Sequence, residues 1–128
     1  MKRTKKETIG LLVTMKAKPS KEKEVKDFLL SGLALVSNEL QTVSWFAFRI
    51  NESSFGIYDT FEVEAGKQAH LKGDVAKALL AHADNLLESF DVNVSIKPVN
   101  IIASHHKPGT QNKGLLVIIN AKAGKSQM

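Results

Sequence analysis

The densest run of polar groups lies at residues 58–73, Tyr-Asp-Thr-Phe-Glu-Val-Glu-Ala-Gly-Lys-Gln-Ala-His-Leu-Lys-Gly. Two side chains in it have types suited to proton transfer. His70 carries an imidazole, which exchanges a proton near neutral pH. Asp59 alternates with Phe55, Ile57 and Phe61, so its carboxylate shares one strand face with apolar side chains and must be paired or shifted in pKa. Asp59 either orients His70, receives a proton from a substrate, or pairs with Arg49 on the neighbouring strand or with a helix N-terminus. His70 lies near the end of a short helix, where capping a free carbonyl competes with a catalytic or ligand-binding role. Tyr58 and Thr60 point away from Asp59. Glycine-rich phosphate loops, serine elbows and metal-ligand spacings are absent. His105-His106 is an adjacent pair with no carboxylate close in sequence, which points away from a metal site.

These groups need elements to position them. Residues 9–17 form an apolar, β-branched run and are predicted as a first strand. Ser20 is the expected N-cap of a helix, with Glu22 near its positive end. Val25, Phe28, Leu29, Gly32, Leu33 and Val36 form one helical stripe, ending near Asn38–Leu40. Residues 43–50 and 55–62 are predicted as strands joined by the polar turn Asn51-Glu52-Ser53-Ser54, an antiparallel hairpin. A short helix over Glu64–Leu71 stops at Gly73, and Asp74 is placed to cap the next. In that helix Val75, Leu79, His82/Ala83, Leu86 and Phe90 form one stripe and Ala76, Leu80, Ala83 and Leu87 a second beside it, so its buried face is expected to be wide. Residues 92–104 complete the set as a fourth strand, with Pro98 marking an edge, bulge or bend. The order is βαββαβ: an α+β, ferredoxin-like fold with helices on one face of an antiparallel sheet.

The second strand is apolar on both sides: Val43, Trp45 and Ala47 point one way and Phe46, Phe48 and Ile50 the other. A sheet with one wet face alternates apolar with polar. The face without helices therefore calls for a partner, expected to be a second copy of the chain in a homodimer through sheet faces. The competing arrangement covers that face with the chain's own C-terminal tail.

The motif at 58–79 carries a family resemblance. Phe55-Gly-Ile-Tyr-Asp-Thr-Phe61, then Glu64-Ala-Gly-Lys67, then His70-Leu-x-Gly73 and an Ala/Leu-rich helix resemble the antibiotic biosynthesis monooxygenase family, a branch of the dimeric α+β barrels. The resemblance spans roughly residues 8–105. It implies a pocket between helices and sheet in each subunit. It also implies oxidation of an aromatic or quinol-type small molecule by O₂ without flavin, haem or metal. It makes His70 the counterpart of the family's recurrent histidine. From their own chemistry, Asp59 is the candidate support for His70, and Trp45, Phe28 and Arg49 are candidate substrate-binding residues. The chain departs from the haem-degrading relatives, whose Asn–Trp–His set is not recognisable here. A non-catalytic dimeric small-molecule-binding or regulatory module of the same fold is the alternative, and a structural dimer whose basic tails mediate contacts is a third.

The 128 residues, 43% hydrophobic and 24% charged, suit one domain. Cysteine is absent, which excludes disulfides and thiolate chemistry and fits a cytoplasmic setting. No apolar run has the length of a signal peptide core or membrane span. The net charge of +5 sits at the ends: residues 1–6 and 107–128 each carry four basic and no acidic side chains, whereas 7–106 carry ten basic and thirteen acidic. Without interleaved aromatics these tails read as solvated ends, not a nucleic-acid surface.

The division expected is a basic tail at 1–7, the α+β domain at 8–105, a linker at 106–113 and an extra strand at 114–128. That strand echoes the first. Gly-Leu-Leu-Val-Thr-Met-Lys-Ala-Lys at 10–18 matches Gly-Leu-Leu-Val-Ile-Ile-Asn-Ala-Lys at 114–122, and seven residues are identical between 10–21 and 114–125. The echo suggests the opening of a second, truncated repeat.

Overall fold

A computed structural model describes residues 6–124. Lys2, Arg3, Lys5 and Lys125, which carry part of the basic character of the two ends, lie outside the described residues. The element order is β1 (Ile9–Lys16), α1 (Glu22–Val36), β2 (Thr42–Arg49), β3 (Ser54–Phe61), α2 (Glu64–Leu71), α3 (Asp74–Leu86), α4 (Val92–Ser95) and β4 (Ile96–Asn100). The strands form one antiparallel sheet in the order β2-β3-β1-β4, the ferredoxin-like arrangement. No helix among the described residues is long and apolar enough to cross a membrane.

Side chains alternate across the sheet. In β1 and β3, Leu11, Val13 and Met15 lie opposite Asp59, Ile57 and Phe55 and face the helices, while Gly10, Leu12 and Thr14 lie opposite Thr60, Tyr58 and Gly56 on the far side. The core forms between Val13, Met15, Phe55 and Ile57 of the first set and Val25, Leu29, Leu79, Ala83 and Leu86 of α1 and α3. Burying side chains of this kind stabilises the fold by about 1.5–3 kcal/mol each. Trp45 joins this layer from β2, its six-membered ring lying over Gly32 of α1, where a Cβ would stand 3.2 Å away. Gly32 thus lets the helix approach a large flat ring.

The turns follow from short polar side chains. Asn51 Oδ1 accepts hydrogen bonds from the Ser53 and Ser54 backbone N–H groups at 3.1 and 2.9 Å, closing the hairpin. Helix α1 stops at Val36, short of the expected Asn38–Leu40. There Ser37 Oγ and Asn38 Nδ2 both donate to Ala34 O and so compete with another helical turn.

Several local expectations are corrected. Ser20 does not cap α1: its φ is +66°, its hydroxyl donates to Pro19 O, and Lys21 occupies the N-cap without a side-chain bond. Asp74 is the first residue of α3, behind an extended Gly73, and makes no cap bond. Leu80 is exposed, and Leu87 is buried from beyond the helix, bridged to Ala17, so the buried face of α3 is narrower than the wide one expected. The fourth strand is five residues, not 92–104. Asp91 accepts from Asn93 N–H and winds 92–95 into one helical turn before β4 begins.

Residues 102–124 are exposed and lie outside the sheet in the single chain, the segment 114–124 included. The tail does not lie down as a strand. His106 ties its base to the domain.

Candidate functional site

Asp59 and His70 come together. Strand alternation turns Asp59 into the helix layer, and the chain turns back after Phe61 so that α2 presents His70, one turn beyond Gly66, on its buried side. His70 Nε2 lies 2.8 Å from Asp59 Oδ2, within ion-pairing distance. Its other nitrogen, Nδ1, lies 2.5 Å from Oε1 of Glu39, which follows α1. Glu39 Oε1 also accepts from Thr42 Oγ1 at 2.9 Å. The Phe61 ring packs against the imidazole with centroids 5.4 Å apart. Asp59 is 1% exposed and His70 6%.

This geometry sets the charges. Burial alone would lower the pKa of His70, but the two carboxylates outweigh it and raise the value to about 9. Burial raises the pKa of Asp59, and the His70 contact only partly offsets that. At neutral pH, His70 is therefore an imidazolium clamped at both nitrogens, and its resting state is not that of a general base. Three buried polar atoms on this side of the molecule have no hydrogen-bond partner among the described residues beyond their own residue: Asp59 Oδ1, Glu39 Oε2 and Trp45 Nε1. Trp45 faces Asp59 directly across the β2–β3 ladder.

The remaining candidates lie elsewhere. Arg49 does not pair with Asp59. It is exposed, its guanidinium sits 5.0 Å over the Phe55 ring, and it donates to the carbonyls of Asn51 and Glu52. Arg49 is the last residue of β2, two positions before Asn51, so it meets the turn and not the far end of the partner strand. Phe28 leans on exposed His82, with ring centroids 5.5 Å apart, and lines a cavity of about 10 Å³ with Met15, Val25, Leu79, Leu86 and Leu87. A second cavity, of about 80 Å³, is lined by Leu40, Gln41, Val43, Glu62, Val63 and Gly66. Neither is lined by His70 or Asp59.

A second carboxylate is buried on the other face of the sheet. Glu7, expected in a solvated tail, is 6% exposed. It accepts from the hydroxyls of Ser44 and of Thr60, the latter at 2.9 Å, and pairs with His106 Nε2 at 2.7 Å. Burial would raise its pKa, but these three contacts together lower it. His106 thus has the carboxylate neighbour that its local sequence lacks. Groups of three or more His, Cys, Asp or Glu able to hold a metal ion do not occur among the described residues.

The architecture has close counterparts. A protein of unknown function from Nitrosomonas europaea is 39% identical, with a TM-score of 0.75 over 83% of this chain and 100% of its own. A candidate antibiotic biosynthesis monooxygenase from Chloroflexus aurantiacus is 16% identical, with a TM-score of 0.61 over 77% of this chain and 97% of its own. Another such candidate, from Nitrosomonas europaea, is 11% identical, with a TM-score of 0.62 over 76% and 99%. No protein-family model and no curated protein sequence matches the chain. The chain belongs to one family with the 39% identical Nitrosomonas protein, and that family has the antibiotic biosynthesis monooxygenase-like α+β fold.

Proposed function

We propose that this chain is a small cofactor-independent monooxygenase that oxidises an aromatic or quinol-type small molecule with O₂. The observation that supports the reading is the buried Asp59 carboxylate beside a cationic His70, inside a fold shared with candidate monooxygenases. Reaction of O₂ with an organic molecule alone needs an electron-rich substrate anion, and so a base in a dry site. His70 holds its own proton, so the base is Asp59, whose pKa burial has raised and whose Oδ1 is without a partner. The imidazolium then stabilises the negative charge that develops nearby. In an anthrone-type substrate a CH₂ carbon becomes C=O, one oxygen atom of O₂ entering the product and the other leaving as water. Trp45, in register with Asp59, is placed to meet an aromatic ring, while Phe28 and Arg49 serve packing and the hairpin.

The assembly that goes with this reading is a homodimer through the sheet faces. Phe46, Phe48 and Tyr58 are half-buried on the face that no helix covers. A non-catalytic binding module of the same dimer is the second reading, favoured by the packing that closes Asp59 and His70 away from both cavities.

Oxygen uptake with anthrone and hydroquinone panels tests the proposal. The wild type is expected to consume O₂, and Asp59→Asn to lower the rate by ~10²-fold or more, the usual loss with a general base. A wild type inert across both panels overturns the oxygenase reading and leaves the binding module.

A further inference from the structure

Asp59 and His70 are shut in. Both are buried, and neither cavity reaches them. A substrate must open a way to the pair, and its walls differ in what opening would cost. On the sheet side it is backed by β1 and β3 and by the fully buried Phe61. On another side stands the connection from α1 to β2, residues 37–41. Ser37, Asn38, Leu40 and Gln41 of that connection are exposed, Leu40 at 84%, and Glu39 turns inward.

Glu39 holds the connection down through one oxygen. Its Oε1 meets His70 Nδ1 and accepts from Thr42 Oγ1. Its Oε2 is buried without a hydrogen-bond partner. That oxygen lies where Gly73 leaves room. A Cβ at position 73 would stand 2.9 Å from it, and 3.3 and 3.4 Å from the carbonyl oxygens of His70 and Ala69. The carbonyl end of a helix carries partial negative charge, a poor neighbour for a carboxylate. Release of Glu39 breaks the His70 contact and returns both carboxylate oxygens to water, which offsets part of the loss.

The space beside this latch is already hollow. Leu40 and Gln41 of the connection line the cavity of about 80 Å³, with Val43, Glu62, Val63 and Gly66. The cavity's walls lead on to the pair. Gly66 and His70 are the buried residues of α2, one turn apart, and Glu62 follows Phe61, whose ring packs on the imidazole. Thr42 lies opposite Phe61 but Ser44 opposite Thr60, so Val43 is the extra residue of a β-bulge. Bulges bend a strand and are frequent next to active sites. A ligand pocket measures on the order of 300 Å³ or more, so this hollow admits a ring only when the connection moves.

We propose that residues 37–41 form a gate over Asp59 and His70, latched by Glu39 on His70, and that the cavity at Leu40 and Gly66 is the vestibule through which a small aromatic substrate enters. The inference rests on the reading of Asp59 and His70 as the reactive pair.

A disulfide can clamp the gate. A Cβ at position 66 would stand 3.3 Å from Gln41 Cβ, near the roughly 3.5–4.5 Å of a disulfide, and the chain has no cysteine to interfere. Full-length Gln41→Cys/Gly66→Cys is compared in its oxidised and reduced forms. Diethyl pyrocarbonate modifies accessible imidazoles through the lone pair of the neutral ring. Its rate at His70 is read by peptide mass spectrometry from about pH 7 to 10, across the His70 pKa of about 9, with exposed His105 as the internal reference. Oxidation is expected to slow modification of His70 by ~10-fold or more at every pH, and reduction to restore it. Equal rates in the two forms overturn the gate, as does a wild type in which His105 reacts and His70 does not. Should the double variant fail to fold, Gly73→Ala supplies the opposite test. Its methyl group displaces Glu39 Oε2 and should raise the limiting rate at high pH, where protonation of His70 no longer contributes. An unchanged limiting rate overturns the latch. Oxygen uptake with anthrone runs in parallel. An inert wild type whose His70 is protected by the clamp keeps the gate and removes the oxygenase. Uptake that survives the clamp removes the gate and keeps the oxygenase.

Discussion

Asp59 and Glu7 are both buried carboxylates against the same sheet, on opposite faces, and they are held in different ways. Asp59 meets a cation, and that cation is shared with Glu39, so the cluster carries two carboxylates to one imidazolium. Glu7 meets two neutral hydroxyls and a half-exposed histidine. On the helix side a proton is held tightly: His70 and Asp59 both have raised pKa values. On the far side a proton is held off, since the pKa of Glu7 is lowered. Donor count explains the contrast. Three donors reach Glu7 and leave its charge satisfied, whereas Asp59 and Glu39 each retain a buried oxygen without a partner. Under the proposed function, reactivity falls to the unsatisfied side and structural duty to the satisfied one.

The largest expected effect is on the helix side. His70→Ala strands two buried carboxylates and should lower the unfolding free energy by ~3–5 kcal/mol, read by urea denaturation at neutral pH. A loss below about 1 kcal/mol would mean the cluster is wet and the contrast false. This also makes His70→Ala a poor probe of catalysis, since instability and inactivity would coincide.

The pH dependence comes next. A raised folded pKa gives stability that is fully present below the unfolded value, 6.5 for histidine, and is lost as pH rises through about 9. Asp59, also raised, has the same sign. Glu7, lowered, has the opposite one, and its contribution is lost as pH falls below its ordinary value of 4.5. The urea midpoint should therefore fall between about pH 7 and 10 in the wild type, and that slope should flatten in His70→Gln. An unchanged slope would remove His70 as the titrating group.

The smallest effect is on the far side. Glu7→Gln keeps the shape and an acceptor for Ser44 and Thr60, and should cost about 1–2 kcal/mol, with no change in the alkaline limb. A loss as large as that of His70→Ala would erase the distinction between the two faces.

Periodicity made the architecture legible. The stripe of α1, the hairpin with its Asn51 turn and the two-sided apolar β2 are all short-range patterns, and the fold follows from them. Alternation with Phe55, Ile57 and Phe61 also identified Asp59 as a buried carboxylate, and the short helix placed His70 within reach. Glu39 could not be found that way. It sits in the polar stretch Ser37-Asn38-Glu39, where nothing separates it from a solvated loop, and its partner is 31 residues away. Glu7 and His106 are 99 residues apart, and each looked like part of a tail. The protonation state of His70 was hidden for the same reason, because it depends on a second carboxylate that only tertiary packing delivers. Helix starts were misread where capping-type residues, Ser20 and Asp74, proved to be occupied otherwise.

Gly56 and Phe48 lie opposite each other on the far face, and a Cβ at position 56 would run into the Phe48 ring and the backbone of β1. The ring fills the space the glycine leaves, as aromatic side chains do beside strand glycines. The two positions are thus one steric unit. Along an evolutionary path neither can change first without a clash or a hole, so relatives should hold the pair together or replace both at once.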